Sequence, residues 1–163
     1  MSGRRSAAGA GSPWPVDFDA LYRERFDPMV RLAALLTGSV AVAEEIVQDA
    51  FVRCALALDR VEQPHAYLRV AVVNGCRSYH RRRVLTLGLR PRTGALSEAS
   101  EPELHELSDV LALLPVRQRT VLVLRYYADL SEAEIAEVLE CRPGTVKSLA
   151  HRGLERLRAL VEL

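Results

Sequence analysis

A chain of 163 residues, 49% of them apolar, holds one ordinary domain or two small ones and has enough apolar surface to bury a core. Its net charge of +1 says nothing about partners until the charges are followed along the chain, where they separate into blocks of opposite sign. Three cysteines, Cys54, Cys76 and Cys141, form no C-x-x-C pair, which excludes a disulfide framework and fits free thiols in a reducing cytoplasm.

Residues 1–16, rich in Ser, Gly, Ala, Pro and Arg, read as a disordered N-terminal arm without the apolar core of a secretory signal. Asp17 is a suitable N-cap for a helix through Phe18, Leu21, Tyr22 and Phe26, which Asp27-Pro28 restarts or kinks and Gly38 ends. Ser39 then caps a second helix with an apolar stripe at Val42, Ile46, Val47, Ala50, Phe51, Cys54, Ala55 and Leu58. Glu44, Glu45, Gln48, Asp49 and Arg53 fall on its outer face. Pro64 opens a third helix through Leu68, Ala71, Val72, Cys76 and Tyr79, which ends in a run of arginines. Arg77, Arg81, Arg82, Arg83, Arg90 and Arg92 follow one another with no acid between them, a surface that attracts phosphate by Coulomb attraction and counterion release. A merely solvated positive face is the alternative.

The stretch 84–102, with Gly88, Pro91, Gly94, Ser97 and Ser100, lacks periodicity and reads as a flexible linker carrying the start of an acidic block. Helices resume from Glu103 to Leu114 and, after Pro115, through Val116, Val121, Leu122, Leu124 and Tyr126. Ser131 and Glu134 match the S-x-x-E capping box, so another helix starts there, and Pro143 stands at the first position of the next. From Val146 to Val161, apolar residues recur every three or four positions and define one buried face. Thr145, Lys147, Ser148, His151 and Arg152 occupy the opposite face, where a recognition helix places its base and phosphate contacts. An ordinary amphipathic hairpin with a solvated basic face is the competing reading.

The pattern predicts an all-α protein of two small helical domains, residues 17–83 and 103–163, joined by a flexible linker. No span is long enough to cross a bilayer, so a soluble protein without membrane insertion is expected. His65, His80, His105 and His151 are scattered without metal-ligand spacing, and no glycine-rich phosphate loop, nucleophile elbow or distinctive carboxylate pair is present. Neither an enzyme nor a metal or other cofactor is expected.

The segments AEEIVQDAFVRCALAL (43–58), AYLRVAVVNGCRSYHRRR (66–83) and LPVRQRTVLVLRYYADLSEAEIAEVLECRPGTVKSLAHRGLERLR (114–158) resemble, in order, extracytoplasmic-function sigma factors of the sigma-70 family, nearest to the SigE-like subgroup of actinobacteria. The resemblance implies a bacterial transcription initiation factor that binds core RNA polymerase at its clamp and flap and contacts promoter DNA, under the control of an anti-sigma factor. It places Glu45, Gln48 and Asp49 against the polymerase clamp. An acidic, amide-bearing strip suits a basic coiled coil and suits DNA poorly, although a solvated face is the plainer alternative. It places the loop 59–65, with His65, and Asn74 at the minus-10 element, with Arg77, Arg81 and Arg82 on the adjacent phosphates. It places Arg142, Thr145, Lys147, Ser148, His151 and Arg152 at the minus-35 element. Lys147 stands where arginine is frequent, Ser78 where aspartate is common and Tyr67 where tryptophan is common. A lysine reads guanine with less geometric definition than arginine does. A conventional dimeric helix-turn-helix regulator and a helical protein that sequesters polymerase are the rival readings.

Overall fold

The computed structural model describes residues 17–87 and 101–162, and the described residues form seven α-helices and one π-helical turn. The N-terminal arm and residues 88–100, with Arg90, Arg92 and the expected linker glycines, lie outside the described residues.

The first lobe comprises α1 (Phe18–Thr37), α2 (Val40–Ala57) and α3 (Pro64–Leu87). Asp17 caps α1 by accepting the Ala20 N–H at 2.9 Å, and Gly38, at φ 77°, closes it by donating its N–H to the Ala34 carbonyl. The helix does not restart at Asp27-Pro28, because α1 continues through Pro28 to Thr37. Glu24 and Asp27 are exposed on that stretch, so solvent can take the carbonyl that the proline ring leaves without its N–H partner. Ser39 caps α2 as expected, accepting the Val42 N–H at 3.3 Å. The buried stripe of α2, Val47, Ala50, Phe51 and Cys54, packs on α1, where Phe51 meets the rings of Phe18, Tyr22 and Phe26. α3 begins at Pro64 and continues to Leu87, four residues into the stretch expected to be linker. Val84, Leu85 and Thr86 are exposed, so this last turn extends the helix without adding to the core.

Gly75 sets the spacing between α2 and α3. A Cβ there would lie 2.6 Å from Ile46 Cγ2, and a β-branched side chain has little freedom to retreat. Gly75→Ala is therefore expected to destabilise the chain by about 1–3 kcal/mol through overpacking, outweighing the roughly 1 kcal/mol gained in helix propensity. A urea midpoint equal to or above that of the unaltered protein would show that the two helices can separate freely.

The second lobe comprises α4 (Pro102–Ala112), α5 (Val116–Leu122), the π-helical turn Val123–Tyr127, α6 (Glu132–Val138) and α7 (Pro143–Val161). α4 starts one residue before the expected Glu103 and ends two before the expected Leu114. The helix expected to run on through Tyr126 widens instead into the π-turn, where the Ala128 N–H bonds the Val123 carbonyl at 3.0 Å. The capping box at Ser131 and Glu134 is complete, with reciprocal bonds of 3.2 and 2.8 Å. Glu140 adopts φ 52° in the turn between α6 and α7, a left-handed conformation that sequence pattern alone did not announce for a glutamate. On α7, Val146, Leu149, Ala150 and Gly153 are buried as expected, but Val161 is 79% exposed because the helix outruns its neighbours.

The lobes are packed on one another. Leu32, Ala33, Ala34, Leu35, Leu36 and Thr37 are all buried, so the end of α1 is covered on every side. α2 and α3 cover it within its own lobe, while α4, α5 and the π-turn contact it from the other. Two polar side chains seal this junction. His80 on α3 donates Nε2–H to the Leu36 carbonyl at 2.6 Å, and Arg119 on α5 donates to the same oxygen at 3.4 Å. Arg119 also donates to the carbonyls of Ala112 and Leu114 at 3.4 and 3.3 Å, so one buried cation serves the C-terminal ends of α1 and α4. Burial lowers its pKa to about 10, which leaves it charged at neutral pH.

Candidate nucleic-acid and polymerase interfaces

Glu45, Gln48 and Asp49 stand exposed on α2, because the buried stripe of that helix turns them outward. Asp49 pairs with Arg53 at 3.0 Å across one helical turn, an exposed contact that contributes little to stability. Asn74, Arg81 and Arg82 on α3 are exposed and Arg77 is half-buried. The Arg77 guanidinium donates to Asn74 Oδ1 at 3.4 Å, which orients the amide and leaves its NH2 free to donate to a base edge.

Most of these residues share one groove, whereas Gln48 and Arg77 line hollows on either side of it. Between α2 and α3 lies a cleft of about 800 Å³ with Glu45 and Asp49 on one wall and Asn74, Arg81 and Arg82 on the other. Arg53, paired to Asp49, lines the same wall as the two carboxylates, which leaves Glu45 facing the basic side without a cation within ion-pair distance among the described residues. His65 is exposed at the first turn of α3, nine residues before Asn74, which puts about 13 Å of helix between them. A single extended strand could reach both. Tyr67 is half-buried against the core, which agrees with packing as its role.

Arg142, the N-cap of α7, is exposed, as are Lys147, Ser148, His151 and Arg152 along the first half of the helix, and Thr145 is half-exposed. Arg152 donates Nε–H to the Ser148 carbonyl at 3.3 Å, and His151 lies 3.3 Å from Glu155. Gly153 lies on the buried side, where a Cβ would meet Leu122 Cδ1 at 2.9 Å, so α5 supports α7 at close range. α6 and α7 thus form a helix-turn-helix with its polar face outward.

Cys54 and Cys76 are buried in the first lobe, and burial pushes the Cys76 thiol up to about 12. They act as small apolar side chains. Arg119 and the His80 contact with Leu36 were not singled out by sequence. Position 119 lies three residues after Val116 and four before Val123, on the helical face that carries the core, and that register was the available signal.

Two small helical lobes, one ending in a basic track and the other carrying a helix-turn-helix, define a bipartite all-α protein. Sigma-70 region 2 matches residues 21–86 and Sigma-70, region 4 matches residues 104–157. The chain is 33% identical over 157 residues to an RNA polymerase sigma-E factor of Streptomyces avermitilis, which covers 90% of this chain and 86% of that protein. It is 31% identical over 159 residues to the ECF RNA polymerase sigma factor SigW of Bacillus subtilis, covering 81% of this chain and 82% of that protein. The sigma factor RpoE of Bartonella quintana, solved in complex with the anti-sigma factor NepR, superposes with a TM-score of 0.73 at 22% identity, over 90% of this chain and 98% of that one. The chain belongs to the extracytoplasmic-function sigma factors of the sigma-70 family, which is not an enzyme family. The dimeric regulator is not favoured, since it accounts for one of the two matched regions only.

Proposed function

We infer that this chain acts in the cytoplasm as a non-catalytic initiation factor: it joins core RNA polymerase, directs it to a promoter and stabilises the opened strand. The first lobe serves the clamp and the minus-10 element, and the second lobe, with residues 103–163, serves the minus-35 element and the flap. Glu45, Gln48 and Asp49 meet the polymerase. His65, Asn74, Arg77, Arg81 and Arg82 take the melted strand, and Arg142, Thr145, Lys147, Ser148, His151 and Arg152 take the upstream duplex. The observation that carries this reading is the match of two sigma regions in chain order, each ending in a helix with an exposed basic face. An anti-sigma protein that covers either face would silence the factor, and the complex formed by the Bartonella relative makes such a partner the natural regulator.

Run-off transcription with core polymerase tests the reading. Specific initiation supports it, whereas inhibition alone would assign the chain to polymerase sequestration. Two modest DNA contacts gain strength through effective concentration once both sit on one polymerase, so the free chain should bind promoter DNA weakly.

Residue roles follow. Asn74→Ala should slow promoter opening roughly tenfold, the equivalent of about 1.4 kcal/mol for a lost base contact, with core binding unchanged. Permanganate footprinting of the melted strand, set beside a core-binding titration, reads the two separately, and equal loss of both would remove Asn74 from base reading. Lys147→Ala combined with Arg152→Ala should weaken the upstream footprint while assembly with core persists. An unaltered footprint would move the reading face elsewhere on the second lobe.

A further inference from the structure

An apolar hollow of about 420 Å³ lies on the α1–α2 hairpin, at the end where the chain enters α1. Phe18 and Tyr22 from α1 and Gln48, Phe51, Val52 and Leu56 from α2 line it. Tyr22, Val52 and Leu56 are 39%, 58% and 68% exposed. Apolar side chains scattered singly over a surface are ordinary, but these border one concavity, and contiguous exposed apolar surface marks a place for a partner. Gln48, Val52 and Leu56 follow one another at four-residue intervals, so the hollow continues along α2 into the strip that carries Glu44, Glu45 and Asp49, all exposed.

The segment that precedes α1 has the matching chemistry. Residues 1–16 contain Arg4 and Arg5 and no acid, and they hold the only tryptophan of the chain, Trp14, between Pro13 and Pro15. Trp14 stands three residues before Asp17, so even a fully extended backbone keeps it within about 10 Å of the cap of α1, and Phe18 on the next residue already lines the hollow. An indole brings a large apolar face and one N–H, and Gln48 at the rim offers an amide oxygen to accept it. The flanking prolines restrict the backbone on both sides of the ring, which lowers the entropy lost on docking. Arg5 lies nine residues before Trp14, a reach of about 30 Å, whereas Leu56 and Glu45 are separated by about 17 Å of helix. Both arginines can therefore meet the acidic strip while Trp14 fills the hollow. A covalently attached occupant has an effective concentration in the millimolar range for a short tether, which favours it over a second copy of the chain.

We propose that the N-terminal arm docks on its own first lobe, with Trp14 in the hollow between α1 and α2 and Arg4 and Arg5 on the acidic strip, so that core polymerase must displace it. The docking stands on the hollow and the arm alone, whereas the competition rests on the polymerase reading of that face.

Because Trp14 is the only tryptophan, its fluorescence, excited where tyrosine does not absorb, reads the docking directly in the full chain. Its emission should be blue-shifted from that of a peptide of residues 1–16 and its quenching by acrylamide several-fold weaker, both unchanged on dilution. Leu56→Ser should return both to the peptide values. Leu56 is exposed, so this variant is expected to fold, and thermal unfolding serves as the check. Trp14→Ser should tighten binding of core polymerase roughly tenfold, as expected if about one chain in ten is uncovered at any moment, and Arg4→Gln with Arg5→Gln should give a smaller gain of the same sign. Peptide-like emission in the unaltered chain would overturn the docking, and so would burial of Trp14 that ignores Leu56→Ser. Burial lost on dilution would give the hollow to the arm of a second copy, and burial that begins only when polymerase is added would give it to that partner; either overturns the proposal. If Trp14 is buried as expected but Trp14→Ser leaves core affinity unmoved, the competition fails. Reversing the charges of Glu45 and Asp49 then locates the fault: loss of core affinity in that variant keeps the polymerase face and rejects the competition alone, and unchanged affinity rejects the polymerase face itself.

Discussion

Arg119→Ala is expected to lower the stability of the chain by about 3–5 kcal/mol and its midpoint of thermal unfolding by about 10 °C. Arg119 is 2% exposed and donates to three carbonyl oxygens, those of Leu36, Ala112 and Leu114. Truncation removes all three charge-assisted bonds, strips two helix ends of their cation and opens a cavity at the lobe junction. One gain opposes this loss, since burial of the charge already costs enough to draw its pKa down to about 10. The carbonyls prevail because Leu36 is left with His80 alone and Ala offers no donor to Ala112 or Leu114. Arg119→Met separates packing from hydrogen bonding: it fills the space, relieves the desolvation cost and leaves the Ala112 and Leu114 carbonyls without Arg119, so it should restore about half of the lost stability. Circular dichroism melting gives both values, and X-ray scattering should show the lobes farther apart in either variant. An alanine variant within about 0.5 kcal/mol of the unaltered chain would mean that Arg119 contributes nothing net to the junction.

The ends of individual helices were legible in the sequence because each depends on a few local atoms. Ser39, Gly38, Pro64, the Ser131/Glu134 box and Pro143 each act within one turn, and the structure has caps or starts at every one of them. The outward faces of α2 and α7 were legible for a similar reason, since the apolar stripe fixes which side is left for the polar residues. The local rule that offers a restart at Pro28 gives way because the buried half of α1, Leu32 to Thr37, anchors the helix from beyond the proline. That same run is apolar on every side, more than one three-helix lobe can cover, and it was the sequence-level trace of the second lobe's docking. What covers it depends on contacts between α1 and α4 or α5, more than sixty residues apart in the chain, which no periodicity records. The groove shared by α2 and α3 was hidden likewise, because it needs the close approach that Gly75 permits.

Reversing charge on the acidic strip should have the largest effect on function. In the double variant Glu45→Lys, Asp49→Lys, two exposed carboxylates on α2 become two ammonium groups, and affinity for core polymerase is expected to fall by roughly 100-fold or more, since like charges across an interface cost several kcal/mol. Stability should hardly change. The Asp49–Arg53 pair that is lost is 61% and 66% exposed, and such pairs contribute about 0.2–1 kcal/mol. The new lysines lie across the groove from Arg81 and Arg82, which would make that cleft basic on both walls. Free single-stranded DNA should therefore bind the variant more tightly than the original chain, while polymerase binds it less. This opposite movement of two affinities separates a specific effect from misfolding, which would weaken both. Fluorescence titration with core polymerase and with a labelled oligonucleotide measures the pair. Unchanged affinity for core in a folded variant would take the polymerase contact away from this face of α2, and the reversed response to DNA would still show that the acidic wall holds nucleic acid off it.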